Sequence, residues 1–290
     1  MEYIIENENL RISVDDQGAE LKSIFGKNNE IEYLWQGNPD FWGRRAPILF
    51  PIVGKLKDNT YTYQGKNYQL SQHGFARDMV FEMVSHEESK ISFLLKSNEA
   101  TRFVYPFEWT LKVSYHIDGK KLFVSVAINN TSSIDEMWFS VGFHPAFNVP
   151  IEQGTNDQQV FVLEFNKDKT ANKRLLEHGL VGNSFELGME NSEIPLENNT
   201  FIKDALVFQD LKTDQITLQS ADSDRSLVFS FADFPYLGIW SKPSAPFVCI
   251  EPWHGIADTV DHDGNLETKE GIKSLKPTET FSCGYSVEVL

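Results

Sequence analysis

Cysteine is almost absent: only Cys249 and Cys283 occur among 290 residues, and they are far from any C-x-x-C spacing. That excludes a disulfide framework and a thiolate zinc site, and it points to reduced core thiols in a reducing compartment. Positive charge is scarce too, with 26 Lys and Arg against 42 Asp and Glu and a net charge of −16. Such a surface repels phosphate backbones and anionic lipid, so neither nucleic acid nor a membrane is an expected partner. Long apolar runs are missing. The longest stretch without a formal charge, Met137–Ile151, is broken by His144, Pro145 and Asn148, whereas a membrane helix needs about twenty apolar residues. The chain is acidic from residue 2 and opens with no basic segment or small-residue cleavage site. The cytoplasm is the expected address.

Helical periodicity is the other shortage. Only Pro39–Trp42 and Asn98–Tyr105 suggest a helix, each of one or two turns. Apolar residues instead recur at every second position. Trp109, Leu111, Val113, Tyr115 and Ile117 share one face, Asp118-Gly119 turns the chain, and Leu122, Val124, Val126 and Ile128 resume the pattern. Similar pairs are Leu10–Val14 with Glu20–Phe25, Tyr61–Tyr63 with Tyr68–Leu70, Val80–Val84 with Ile91–Leu95, and Ile216–Gln219 with Leu227–Phe231. Single runs at Leu237–Trp240, Phe247–Ile250 and Thr280–Val289 complete the set. Twenty-two Phe and nine Tyr suit half-buried pleated surfaces. Residues 152–200, rich in Gly and Asn, predict long connections. No linker, repeat or composition shift marks a boundary, so the expected fold is all-β: one large antiparallel β-sandwich forming a single domain over residues 1–290.

Five segments break this alternation and gather polar groups among apolar ones. Gly43-Arg44-Arg45-Ala46-Pro47 precedes an apolar run; alone it also fits a strand end whose arginine stems lie along apolar surface. Gln72-His73-Gly74-Phe75-Ala76-Arg77 reads as a loop displaying hydrogen-bonding groups or as a plain turn. His144, in Gly142-Phe143-His144-Pro145-Ala146-Phe147, is either a satisfied core imidazole or a site residue. Asp204 opens the strand-like Ala205–Phe208 and serves equally as a cap. Glu251 ends the apolar run Phe247–Ile250 beside Pro252-Trp253, where desolvation raises a carboxyl group toward the range of a general base.

Taken in order, the segments around His73, His144 and Glu251 resemble those of the aldose 1-epimerases, or galactose mutarotase-like proteins. Trp42-Gly43-Arg44-Arg45-Ala46-Pro47-Ile48-Leu49-Phe50-Pro51 is most similar to the bacterial LacX-like branch of that family. The resemblance spans essentially the whole chain. It implies a β-supersandwich that interconverts the α and β anomers of an aldohexose without cofactor or metal. By motif position it makes Glu251 the base and His144 the acid, with the neighbouring carboxylate holding the imidazole in its charged form. His73, Arg44, Gln72, Arg77 and Asp204 become the substrate-binding set, and Trp253 a stacking platform for the sugar. Gly74-Phe75-Ala76-Arg77 is more usual in hexose-6-phosphate mutarotases, so Arg77, with Arg44, Arg45 and Lys55, could clamp a phosphate. Of the two adjacent arginines, Arg44 is favoured to face the site. The expected partner is a small hexose or hexose phosphate, and the expected state a monomer or homodimer. Two rivals remain open. One is a sandwich that binds sugar without chemistry; the other is a metal enzyme ligated by His73, His144 and Glu251. His86, His116, His178 and His262 are expected to be solvated.

Overall fold

Alternation becomes geometry most directly at the central hairpin. Trp109–Asp118 pairs antiparallel with Lys121–Asn130 over ten residues a side, from Trp109 opposite Asn130 to Asp118 opposite Lys121. Every apolar residue that the period of two placed on one face of Trp109–Ile117 is buried, while Lys112 on the opposite face is exposed. The computed structural model describes residues 1–152, 161–197, 199–220 and 223–290.

The hairpin lies within a nine-stranded antiparallel sheet in which Lys121–Asn130 also pairs with the C-terminal strand Thr280–Val289. A second large sheet runs in the order Leu180–Gly188, Thr170–Glu177, Leu206–Gln209, Tyr236–Trp240, Phe247–His254, Val141–Phe143 and Ile48–Leu49. The two sheets pack face to face through aromatic pairs: Phe143 on Tyr285 at 4.9 Å, Phe147 on Phe229 at 5.9 Å and Phe165 on Phe208 at 6.0 Å between ring centroids. The expected β-sandwich is therefore what forms. Its principal apolar cluster draws on residues from Ile5 to Val289. A four-stranded sheet, Glu2–Glu6 to Ile31–Glu32, adds to that core at the N-terminus. Among the described residues, no helix is long and apolar enough to cross a membrane.

Three local expectations fail. Residues 152–200 are not mainly connections: Phe161–Phe165, the hairpin Thr170–Glu177 with Leu180–Gly188, and Glu193–Pro195 are strands, while 153–160 and 198 lie outside the described residues. Much of that hairpin meets water on both faces and a bulge follows Arg174, so no period of two shows in its composition. Pro39–Trp42 is a turn closed on the Asn38 carbonyl; the helix Glu99–Val104 does form, with Asn98 as its cap. His262 is largely buried, 3.9 Å from Asp258 and 3.7 Å from Asp263. His86 and His178 are exposed and His116 half-buried.

Candidate active site

Strand Phe247–His254 is buried at all eight positions because both its faces and both its edges are covered. On one edge it meets Tyr236–Trp240, on the other two short strands, Val141–Phe143 and Ala146–Asn148. His144 and Pro145 fall in the gap between those two. Pro145 has no N–H to continue the ladder, and its carbonyl accepts instead from the Ile250 amide at 3.1 Å. This interruption sets the His144 imidazole against the one carboxyl group of the facing strand. Nε2 of His144 lies 3.1 Å from Oε2 of Glu251. Trp253 then needs room, and two glycines provide it: a Cβ at Gly142 or at Gly238 would stand 2.6 Å or 2.5 Å from its indole ring.

Burial governs the electrostatics of the pair. It pushes the Glu251 carboxyl well above its ordinary 4.5; the charge of Asp204 adds to this, while the Trp253 indole works the other way. It pushes the His144 imidazole down to about 3, and the positive charges of Arg77 and Arg44 act in the same direction. A neighbouring carboxylate favours a charged imidazole, contrary to this outcome, but desolvation outweighs that attraction here. The pair thus holds one exchangeable proton, drawn toward Glu251. His144 Nδ1 is buried and makes no hydrogen bond among the described residues.

Glu251 and His144 border a cavity of about 320 Å³ that also touches Gln72, His73, Arg77, Asp204 and Trp253. His73 sits in a loop with φ of +67°. Its backbone donates to the Gly54 carbonyl at 2.9 Å, and the Gly54 amide donates to its Nδ1 at 3.1 Å. With Nδ1 accepting, a neutral ring carries its proton on Nε2, which lies 3.2 Å from the Gln72 side-chain amide. Burial holds His73 well below the ordinary 6.5, so it is a neutral hydrogen-bond donor. Arg77 is half-buried, and its Nη2 donates to the Gln72 carbonyl at 2.7 Å. Asp204 is exposed at the mouth with φ of +92°.

Neither adjacent arginine lines the cavity. Arg45 turns away to donate to the Lys22 carbonyl at 2.6 Å; Arg44 stays at the rim on Asp78, also at 2.6 Å, near enough for its charge to reach both histidines. Lys55 reaches the His178 carbonyl at 3.3 Å. Among the wall residues outside the expected set are two large aromatics, Trp42 and Trp240. Neither carries a group that titrates or ligates, and only the position of the imidazole beside them reveals a use. The three ligands of the metal rival do not form the one metal-like grouping among the described residues. That grouping is His144, Cys249 and Glu251, with donor atoms within 4.8 Å of one another, and His73 stands outside it.

The family model described as aldose 1-epimerase matches residues 1–272. The chain is 30% identical to the chromosomal protein LacX of Lactococcus lactis subsp. lactis over an alignment of 296 residues, which covers 99% of this chain and 98% of that protein. It superposes on a galactose mutarotase related enzyme from Lactobacillus acidophilus with a TM-score of 0.95 and 39% identity, covering 100% of this chain and 97% of the other. A galactose mutarotase-like protein from Lactobacillus casei gives a TM-score of 0.91 and 31% identity, with both chains fully covered. With the family model matching residues 1–272 and relatives similar over its whole length, the chain belongs to the aldose 1-epimerase family of isomerases.

Proposed function

We propose that this protein is a mutarotase that interconverts the α and β anomers of an aldohexose such as galactose or glucose. The observation that carries this reading is the buried 3.1 Å contact between Glu251 and His144 at the cavity. Ring opening needs a base at the C1 hydroxyl and an acid at the ring oxygen. The pair's proton first passes from Glu251 to His144 across their 3.1 Å contact; the Glu251 carboxylate then takes the O1 proton while the His144 imidazolium gives its proton to O5, the C1–O5 bond breaks and O1 becomes the aldehyde oxygen. After rotation about C1–C2, O5 attacks the other face of C1, His144 recovers the O5 proton and Glu251 returns one to O1. Every proton comes from the pair or the sugar, so the cycle balances without cofactor. Held at hydrogen-bond distance, such a pair contributes roughly 10²–10⁴ in rate. His73 Nε2, Gln72, Arg77 and Asp204 bind hydroxyls, and Trp253 faces the apolar side of the ring.

Arg77 favours a second substrate class. Its guanidinium lines the cavity, with Nε 3.8 Å from the Asp78 carboxylate and without a hydrogen bond among the described residues, so a 6-phosphate could pair with that cation. The deciding measurement is the NMR rate of anomer exchange for glucose, galactose and their 6-phosphates, with and without protein. Acceleration that survives exhaustive dialysis against EDTA is expected. Loss of activity on dialysis with recovery on adding metal would revive the metal enzyme, and no acceleration of any of the four would leave a sugar-binding sandwich.

A further inference from the structure

The proposed cycle asks His144 to carry a proton as imidazolium in a place where burial opposes that charge. Something nearby must favour it. Glu251 at 3.1 Å does so. Around the rest of the ring, Arg44 and Arg77 repel a positive charge. His73 meets it edge-on at 5.7 Å, Trp240 edge-on at 6.1 Å, and Cys249 lies in the same buried cluster. Among the described residues, one neighbour presents a face. The Trp42 ring stacks on the imidazole with centroids 4.9 Å apart and planes 27° from parallel.

Trp42 is not held there by burial alone, since it is half-exposed and borders the cavity. Its backbone is built into place. The Trp42 carbonyl accepts from the Trp35 indole N–H at 2.9 Å, and its amide donates to the Asn38 carbonyl at 2.9 Å. Lys242 donates to the Asp40 carbonyl, also at 2.9 Å, tying the turn to the segment that follows Trp240. Behind it, ring contacts run from Trp42 to Phe247 at 5.8 Å and from Phe247 to Trp35 at 4.8 Å. The negative face of an indole attracts a cation within about 6 Å, most strongly where water is excluded. A neutral imidazole gains far less from that face.

We propose that Trp42 is a positioning residue that acts through His144: its stacked indole stabilises the imidazolium and so sets how readily His144 serves as the acid. This rests on the mutarotase reading, but its first readout does not. With histidine labelled by ¹⁵N, and the His144 signal assigned by its loss in His144→Asn, the Nε2 shift at neutral pH reports the share of the pair's proton on the imidazole. It is measured without sugar and with saturating glucose. In Trp42→Leu that share should fall in at least one of the two states and kcat should drop about tenfold with KM nearly unchanged. Trp42→Phe, which restores a π face, should recover most of both. An Nε2 shift identical in wild type and a folded Trp42→Leu in both states overturns the proposal, whatever happens to the rate. So does weaker sugar binding in Trp42→Leu with that shift unmoved, which would make Trp42 a platform for the sugar. If no sugar is turned over by wild type, the function is wrong, while the sugar-free shift still tests the stacking.

Discussion

Two buried pairs of ionisable groups lie near one another in this protein, and they are built on opposite plans. In the first, Lys269 Nζ lies 2.9 Å from Asp258 Oδ1 and also donates to the Ile256 carbonyl at 2.5 Å. The other Asp258 oxygen accepts from the Lys57 amide at 2.9 Å. Lys269 and Asp258 are 2% and 1% exposed, yet their strongest hydrogen-bonding demands are met by the protein. In the second, Glu251 and His144 have each other, while His144 Nδ1 has no partner among the described residues. A satisfied pair fixes the wall of the cavity, since Ile256 and Ala257 border it. An unsatisfied pair is poor structure, but it leaves donors and acceptors for a ligand.

The sharpest way to break this contrast is to remove the base. Glu251→Gln keeps shape and most hydrogen bonding, so anomer exchange should fall at least about a hundredfold while sugar binding changes little. Exchange near the wild-type rate in a variant that still binds sugar would mean that another group is the base. His144→Asn should act similarly, and the double variant should lose less than the two losses combined, because both serve one relay.

Breaking the structural pair should do the reverse. Lys269→Met leaves the Asp258 carboxylate buried without its cation, at a cost of about 3–5 kcal/mol in folding stability. Denaturant melts read this directly, and exchange per folded molecule should fall far less than in Glu251→Gln. An unchanged midpoint would deny the pair its structural role. At the mouth, Arg77→Ala should weaken glucose 6-phosphate by about 1.5–3 kcal/mol more than glucose in titration calorimetry, if a phosphate meets that guanidinium. Equal losses would make Arg77 a reader of hydroxyls.

The smallest expected effect separates the pairs by pH. Between the ordinary 4.5 of Glu251 and 6.5 of His144, the unfolded chain holds one proton on these two groups, on histidine. The folded pair also holds one, on Glu251, so stability does not change with pH there on their account. Above 6.5 the unfolded chain loses its proton while Glu251, raised by burial, keeps its own. Stability then falls with rising pH by about 1.4 kcal/mol per unit until Glu251 ionises. Melts of wild type and Glu251→Gln from pH 6.5 to 8 should diverge, with the variant gaining on wild type; parallel curves would show an ionised Glu251.

Much of this was legible before any coordinates. Trp109–Ile117 and Leu122–Ile128 declare a hairpin because only one of their faces is buried, and the alternation records which. Glu251 declares itself because a carboxyl group at the end of an apolar run has no solvated position. The hairpin Thr170–Gly188 was hidden for the opposite reason, as water reaches much of both its faces. Arg44 and Arg45 are adjacent in sequence, and strand geometry says only that they diverge; the partners Asp78 and the Lys22 carbonyl, far away along the chain, decided where each one went.

The sequence by itself determined the alternating faces, the two isolated thiols, the acidic surface, and the residue types able to take and give a proton. Tertiary structure decided which of them meet. His144 faces Glu251 because two short strands leave a gap opposite one buried strand, and Trp42 covers His144 because a turn pinned by Trp35 and Lys242 carries it there. Proton affinity was decided at the same level. A composition names ionisable groups, but the water removed from around each one exists only once the sheets have closed.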